Sequence, residues 1–507
     1  MVKKNYIIIL AGGKGTRLKH NTWNKPKCLV PILGKPILYH CMDFFKNSNF
    51  ILIGDYHFET LKSYIKTTRP NANLKIIKSS GTGSIAGIYD ALKSVPNNSN
   101  IYLIWSDLFF VNKFNINQLK KNVVGITNDF FCRYIVKKNK IVLNTGKIKN
   151  NGVVGFFYFP NKKLLQNVDK NGEFVDWFSA QNIKFSTHKF NTVSEIGEDG
   201  KLEIFRNKFN VTRYFNELKI YKDFIIKKSK IKEFNHLISG EKKWYIKMNS
   251  LGFTNIPKIF PDKSLKISKI IGKHPDMIFV NRDKIIENIF ATIEDLHSLS
   301  SKKFVINDLK SVYYSKTISR VESIQNMIPN FEKEIINING INCKNFFSKK
   351  YFNDFKKLLT IFEDNPEEFN IIHGDPTFSN IMVNNKSKVH LIDPRLNFGN
   401  SKFFGDPLYD WAKLYYSVVG SYDNFNKKKF VLRFVNSKVE YYILDNGWSI
   451  YQNKFEEKFS NNIKKIKLLH SLIWLSLSGY VKDDYDSILT SFYKGTYLLN
   501  EFEKNYN

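Results

Sequence analysis

An alternation in the first 110 residues limits the possible folds of this chain more than any other feature. Short β-rich runs at Tyr6 to Leu10, Phe50 to Ile53, Leu74 to Ile77 and Ile101 to Ile104 are separated by stretches with helical apolar spacing, such as Pro36 to Lys46 and Ser84 to Lys93. Strand candidates that alternate with amphipathic helices predict a βαβ series and a parallel sheet. A second set of strand candidates, around Gly152 to Phe159 and Lys184 to Phe190, precedes the turn-rich Glu198-Asp199-Gly200.

After Arg206 the pattern restarts. A hairpin-like stretch ends in Asp223-Phe224-Ile225-Ile226-Lys227, and a helix is expected from about Glu241. Amphipathic helices should dominate from Arg282 to Glu363, short strands return over Ile371 to Ile392, and the remainder reads as helical. A chain of 507 residues exceeds one ordinary core. The restart therefore sets two domains, 1–207 and 208–507, with the boundary near residues 206 to 212.

The formal net charge of +32 suggests a polyanion partner, since Lys and Arg attract phosphates. The distribution argues against nucleic acid, because the lysines are spread along the chain among Asn, Ile and Phe instead of forming a patch. Small anionic substrates suit the same charge. The apolar runs are far shorter than the roughly 20 residues of a membrane helix, and the N-terminus lacks a secretory pattern, so a cytoplasmic protein with no membrane partner is expected. Cys28, Cys41, Cys132 and Cys343 show no metal or disulfide spacing and read as reduced thiols.

The run Ile7 to Leu10 leads directly into Ala11-Gly12-Gly13-Lys14-Gly15-Thr16-Arg17-Leu18, followed by Lys25-Pro26-Lys27. Glycines just past a strand let backbone N–H groups approach phosphate oxygens, and Arg17 and Lys27 add positive charge. The spacing is neither a Walker A loop nor a Rossmann dinucleotide fingerprint. The signature resembles that of sugar nucleotidyltransferases over roughly residues 5 to 206. The resemblance implies that Leu10, Ala11, Gly12, Gly13, Gly15, Thr16 and Arg17 hold a nucleoside triphosphate, and that Lys27 neutralises the α-phosphate under attack. Gly81-Thr82 resembles the element beside the nucleobase. Asp107 takes the place of a metal-binding aspartate, and Glu195, in Ser194-Glu195-Ile196-Gly197, that of a second carboxylate for Mg²⁺. Glu198 and Asp199 remain alternatives to Glu195.

A second motif is His373-Gly374-Asp375-Pro376-Thr377-Phe378-Ser379-Asn380, followed by Leu391-Ile392-Asp393-Pro394-Arg395. The interval from Asp375 to Asn380 reproduces the catalytic-loop spacing of kinases, and Asp393 takes the place of the later metal-binding aspartate. In that pattern Asp375 accepts the proton of an attacking hydroxyl, while Asn380 and Asp393 hold Mg²⁺. The HGD form resembles aminoglycoside phosphotransferases and choline or ethanolamine kinases over roughly residues 210 to 500. By that resemblance Lys227 binds ATP phosphates and Glu241 orients it. Lys228 stays an alternative, because strand periodicity alone cannot fix which lysine faces inward. Leu296-His297 reads as a packed histidine, and Asp406 and Asp410 as braces for the catalytic loop. No glycine-rich loop precedes Lys227.

Taken together, the expected fold is α/β. An N-terminal Rossmann-like nucleotidyltransferase domain, with a mixed sheet flanked by helices, is followed by a protein-kinase-like α+β domain. The expected function is bifunctional: ATP phosphorylates a small alcohol, then a nucleotidyl group, favoured as CMP from CTP, is joined to that phosphomonoester for surface polysaccharide or lipid head-group synthesis. A sugar kinase and sugar-1-phosphate nucleotidyltransferase using UTP, GTP or ATP is the alternative. The implied partners are Mg²⁺, nucleotides, the alcohol and its phosphomonoester, with a homo-oligomer left open.

Overall fold

The computed structural model describes residues 3–111, 118–208, 216–363 and 368–506. The chain divides into two compact units, one of residues 1–211 with 482–486, the other of residues 212–481 with 487–507. Of the span where the sequence places its boundary, residues 209–212 lie outside the described residues.

The first unit is built on a mixed sheet of nine strands among the described residues. Strand β1 (Asn5–Leu10) pairs in parallel with β2 (Asn49–Gly54) and with β4 (Asn100–Trp105), and β2 pairs in parallel with β3 (Leu74–Lys78). On the far side of β4 lies an antiparallel strand, β5 (Gly152–Phe159), buried along its whole length. Helices Ile37–Phe44, Phe58–Thr68 and Gly83–Leu92 fall between the parallel strands in sequence. Ile8, Ile51, Ile53, Leu103 and Phe157 from the sheet and Ile85, Ile88 and Phe174 from helices share one core.

The order β3-β2-β1-β4 reverses direction at β1, since the chain first moves to one side of it and then returns to the other. Loops leaving the carboxyl ends of strands on either side of such a switch point border a crevice where ligands of α/β folds bind. Here those loops are Ala11–Gly15 and Ser106–Asp107.

The second unit opens with a four-stranded antiparallel sheet containing the hairpin Asn216–Ile220 and Phe224–Ser229, followed by helix Asn235–Ser250. That helix begins six residues before Glu241, earlier than the sequence suggested. Gly240 lies within the helix, where a Cβ would stand 3.1 Å from Leu396 Cβ. Helix Arg282–Ser298 is present as expected. The Arg282 to Glu363 stretch is not continuously helical, because a hairpin, Ile335–Ile338 with Ile341–Lys344, interrupts it. The C-terminal remainder is likewise broken by the hairpin Phe430–Val435 and Lys438–Ile443. Among the described residues no helix is long and apolar enough to cross a membrane.

Candidate functional site

In the first unit the glycine loop leaves β1 at Leu10, which pairs with both Ile53 and Trp105. The Ala11 N–H donates to Ile53 O at 2.9 Å, so it is spent within the protein and is not free to meet a phosphate. The loop proper therefore starts at Gly12. Gly15 adopts φ +65°, and a Cβ there would lie 3.0 Å from Lys27 Cβ. Only glycine takes this left-handed conformation at low cost and lets the loop lie on Lys27. Thr16 opens a helical turn, and Thr22 Oγ1 returns to Gly15 O at 3.0 Å.

Lys27 Nζ is ion-paired with Asp107 Oδ2. Asp107 is buried at 3% exposure, and its other oxygen, Oδ1, has no hydrogen-bond partner. Glu195 arrives on the short strand Val193–Glu195, which is antiparallel to Leu108–Phe110, and Ile196 N–H donates to Asp107 O at 2.9 Å. The convergence is sharpest at Gly197, a residue the sequence reading quoted without a role. A Cβ on it would meet Glu195 Oε1 at 2.8 Å, Asp107 Oδ2 at 3.3 Å and Arg17 Nη2 at 3.5 Å. Arg17 itself forms a 2.6 Å pair with Glu198, and Glu195 Oε2 lies 3.0 Å from Lys201. Of the alternatives to Glu195, Glu198 is thus held by Arg17, and Asp199 lies 3.3 Å from Lys19.

Two hard carboxylates around one point, one with a buried orphan oxygen, form a donor set that suits Mg²⁺, which binds one or two carboxylates and completes its shell with phosphate oxygens. No cluster of three potential metal ligands occurs among the described residues, and such a cluster is not needed for this mode of binding.

Gly81 and Thr82 follow β3, at the same carboxyl edge. Thr82 N and Oγ1 donate to Asn171 Oδ1 at 3.0 and 3.1 Å, and Gly81 lies so close to Lys170 O that a Cβ would come within 2.4 Å. This element is pinned against residues 170–172, a partner that no local motif revealed.

In the second unit, Lys227 is buried at 6% while Lys228 is exposed. The register Lys227↔Leu265 turns Lys227 inward, where Nζ meets Glu241 Oε2 at 2.7 Å and Asp393 Oδ1 at 2.9 Å. Burial raises the Glu241 carboxyl and the Lys227 charge opposes that shift. Asp393 holds φ +57°, and its N–H donates to Tyr245 OH at 3.1 Å.

Asp375 sits in a braced loop. His373 N–H and Gly374 N–H both donate to the Asp410 carboxylate at 2.7 Å, and Asn380 Nδ2 donates to Asp375 O at 2.8 Å. His373 is fully buried against Ile392 O, and burial lowers its pKa. His297 also packs on Asp410, at 3.1 Å. The Asp375 carboxylate is gripped by Arg395 at 3.0 Å and Lys413 at 3.1 Å. Arg395 followed the Asp-Pro pair in sequence, but Lys413 lies on a helix 38 residues beyond Asp375 and carried no local signal.

The MobA-like NTP transferase domain family matches residues 7–137. The chain is 33% identical over 191 residues to D-glycero-alpha-D-manno-heptose 1-phosphate guanylyltransferase of Campylobacter jejuni, covering 35% of this chain and 86% of that protein. It is 26% identical over 192 residues to choline-phosphate cytidylyltransferase of Streptococcus pneumoniae, covering 35% and 82%. Among solved structures, the CTP:phosphocholine cytidylyltransferase from Streptococcus pneumoniae aligns at TM-score 0.33 and 17% identity, covering 41% of this chain and 100% of that one. Through the domain that carries the glycine loop, this chain belongs to the MobA-like NTP transferases and is a nucleotidyltransferase.

Proposed function

We propose that the two units catalyse consecutive steps: ATP-dependent phosphorylation of a small alcohol, then transfer of a nucleotidyl group to the resulting phosphomonoester. The observation that supports this most is that the second unit gathers Lys227, Glu241 and Asp393 beside a catalytic-loop pattern whose His373 and Gly374 N–H groups are held by Asp410 and whose Asn380 is bonded to Asp375 O. In the first step Asp375 takes the hydroxyl proton, the acceptor oxygen bonds to the γ-phosphorus, and the bond to the β-phosphate oxygen breaks to release ADP. Lys227 holds the α- and β-phosphates, oriented by Glu241. Asn380 and Asp393 would supply oxygen donors for Mg²⁺, whose charge would screen the phosphates.

In the second step an oxygen of the phosphomonoester bonds to the α-phosphorus of the nucleotide and pyrophosphate leaves. That oxygen is already ionised, so no general base is needed, which agrees with a site composed of cations, glycine N–H groups and two carboxylates. Lys27 neutralises charge on the α-phosphate, Arg17 exchanges Glu198 for the triphosphate, and Asp107 and Glu195 would hold Mg²⁺, whose charge would polarise the phosphate. CTP and a lipid or polysaccharide head-group precursor are the favoured pair, in line with the cytidylyltransferase relative. The guanylyltransferase relative, at 33% identity, favours a sugar phosphate with GTP as the second reading.

Product analysis by mass spectrometry with each of the four NTPs and a panel of phosphomonoesters tests this. A nucleoside diphosphate conjugate with one NTP and pyrophosphate release is expected. A product with no alcohol or sugar attached contradicts it.

A further inference from the structure

The neighbourhood of Asp375 carries a charge pattern that the two-step reading does not use. Beyond Arg395 and Lys413, two further cations lie on the helix Lys316–Glu322, four residues apart and so on one face. That helix follows a π-helical turn, Ser311–Ser315, a feature frequent at functional sites. Lys316 Nζ is 3.4 Å from Tyr409 OH, and Tyr409 is also 5.7 Å beneath Lys413, which grips Asp375. Arg320 stands over Tyr480 at 5.1 Å and donates to Ser476 Oγ at 2.9 Å.

Neither Lys316 nor Arg320 has a carboxylate partner among the described residues. Carboxylates on adjoining elements are committed elsewhere. Asp406 caps its own helix and accepts from Tyr313 OH at 2.8 Å, Asp410 accepts two backbone N–H groups, and Asp308 accepts from Ser401 and Asn400. Lys316 is half-buried, and burial lowers its pKa. Burial pushes the Tyr409 hydroxyl up, but Lys316 and Lys413 outweigh it and lower its pKa. Lys316 feels the charge of Lys413, and Arg320 that of Arg395, so two further cations stand close to the pair that grips Asp375. Half-buried cations without counter-ions are unfavourable in the empty protein, and an anion supplied by a ligand removes that cost.

Resting on the phosphotransfer reading, we infer that the acceptor phosphorylated at Asp375 is itself an anion, a small alcohol already bearing a phosphate or carboxylate group that Lys316 and Arg320 bind. Arg395 and Lys413 adjoin the transferring phosphoryl group, whereas Lys316 and Arg320 reach the far end of the acceptor. A quaternary ammonium such as choline would meet like charge there, so this site separates the chain from the choline kinases its loop resembles.

The test uses the full chain with MgATP and matched acceptors: mannose against mannose 6-phosphate, glycerol against glycerol 3-phosphate and glycerate, and choline and ethanolamine as cations. ADP formation should give a kcat/KM at least about tenfold higher for the anionic member of a pair, in keeping with a charged hydrogen bond. The phosphate and carboxylate arms tell which anion is taken. Lys316→Met and Arg320→Met should shrink the anionic-to-neutral ratio by about tenfold each through KM, and Lys316→Arg should restore it. Preference for choline or a neutral member, or a ratio that both Met variants leave intact, overturns the inference. MgATP binding by calorimetry serves as the separate control. If MgATP binds to wild type and to the Met variants but not to Asp393→Asn, the phosphotransfer reading stands whatever the acceptor result. If wild type does not bind MgATP, that reading fails and this inference falls with it.

Discussion

Lys27 is ion-paired with Asp107, and Asp107 keeps its second oxygen buried without a partner. On the proposed reading, Lys27 would leave Asp107 for the triphosphate and Asp107 would turn to Mg²⁺, so both residues would act on the same developing charge. Lys27→Ala and Asp107→Ala should therefore lower nucleotidyl-transfer turnover by about 10²-fold or more, with little change in KM. Steady-state pyrophosphate release checks this. Gly197→Ala should impair the same step, since its methyl would press on Glu195 Oε1 at 2.8 Å, and raising Mg²⁺ should recover part of the loss.

Asp375 is held by Arg395 and Lys413 in the second unit. Asp375→Asn keeps the shape of the loop but removes the proposed proton acceptor, so ATP-dependent phosphorylation should fall by about 10²- to 10⁴-fold. Nucleotidyl transfer to a supplied phosphomonoester should stay near wild type, because Lys27, Asp107 and Glu195 belong to the other unit. Assaying each half-reaction separately on the one variant decides this.

Lys227 and Lys228 are adjacent yet opposite in exposure. Lys227→Met should weaken MgATP binding and phosphorylation together and leave Glu241 as a buried acid without its cation. Lys228→Met should behave as wild type in both, as measured by calorimetry and ADP formation.

That pair also marks how far the sequence could be read. The parallel strands of the first unit were legible, because their β-rich runs leave little alternative to burial in a sheet, and Gly12 to Lys27 carry the residue types that a nucleotide loop needs. Which lysine faced inward was not legible, since a one-residue slip reverses every side chain of a strand, and only pairing with Leu265 settles it. The hairpin at Ile335–Ile338 and Ile341–Lys344 carried a signal that was passed over. Its Asn339-Gly340 loop takes φ +49° and +84°, the conformation that Asn-Gly favours in two-residue hairpins. The later hairpin turns through Asn436-Ser437 at φ +47° and +65°, where serine hides the signal. Lys413, Lys316 and Gly197 reach their sites through tertiary packing, and no local spacing points to them.

Asp423 accepts from Ser379 N–H at 2.9 Å, and burial, aided by the nearby Asp276, pushes its carboxyl up to about 7 from 3.8. An unfolded aspartate gives up its proton near 3.8, whereas the buried group keeps it to about 7, so the folded protein binds more protons across that window. Asp423 thus favours the fold at low pH, and that contribution is lost as pH rises through about 7. Asp423→Asn keeps an acceptor for Ser379 and removes the ionisation. Its Tm relative to wild type should therefore rise steadily as pH increases through this window. Thermal melts of both proteins across the window check the slope, and a constant difference would remove Asp423 as the cause.

If one chain both makes and activates a phosphomonoester, a label can be followed through both steps. Purified protein is incubated with γ-³²P-ATP, one unlabelled NTP at a time and a panel of cationic, neutral and anionic alcohols, and the products are separated and weighed by mass spectrometry. The expected result is that ³²P passes from ATP into a phosphorylated alcohol and then, with a single NTP, into a nucleoside diphosphate conjugate. Asp107→Ala should accumulate the labelled phosphomonoester, and Asp375→Asn should make neither product. Nucleotide conjugates formed from supplied phosphomonoesters, with no label transferred from ATP to any alcohol in the panel, would contradict the two-step reading.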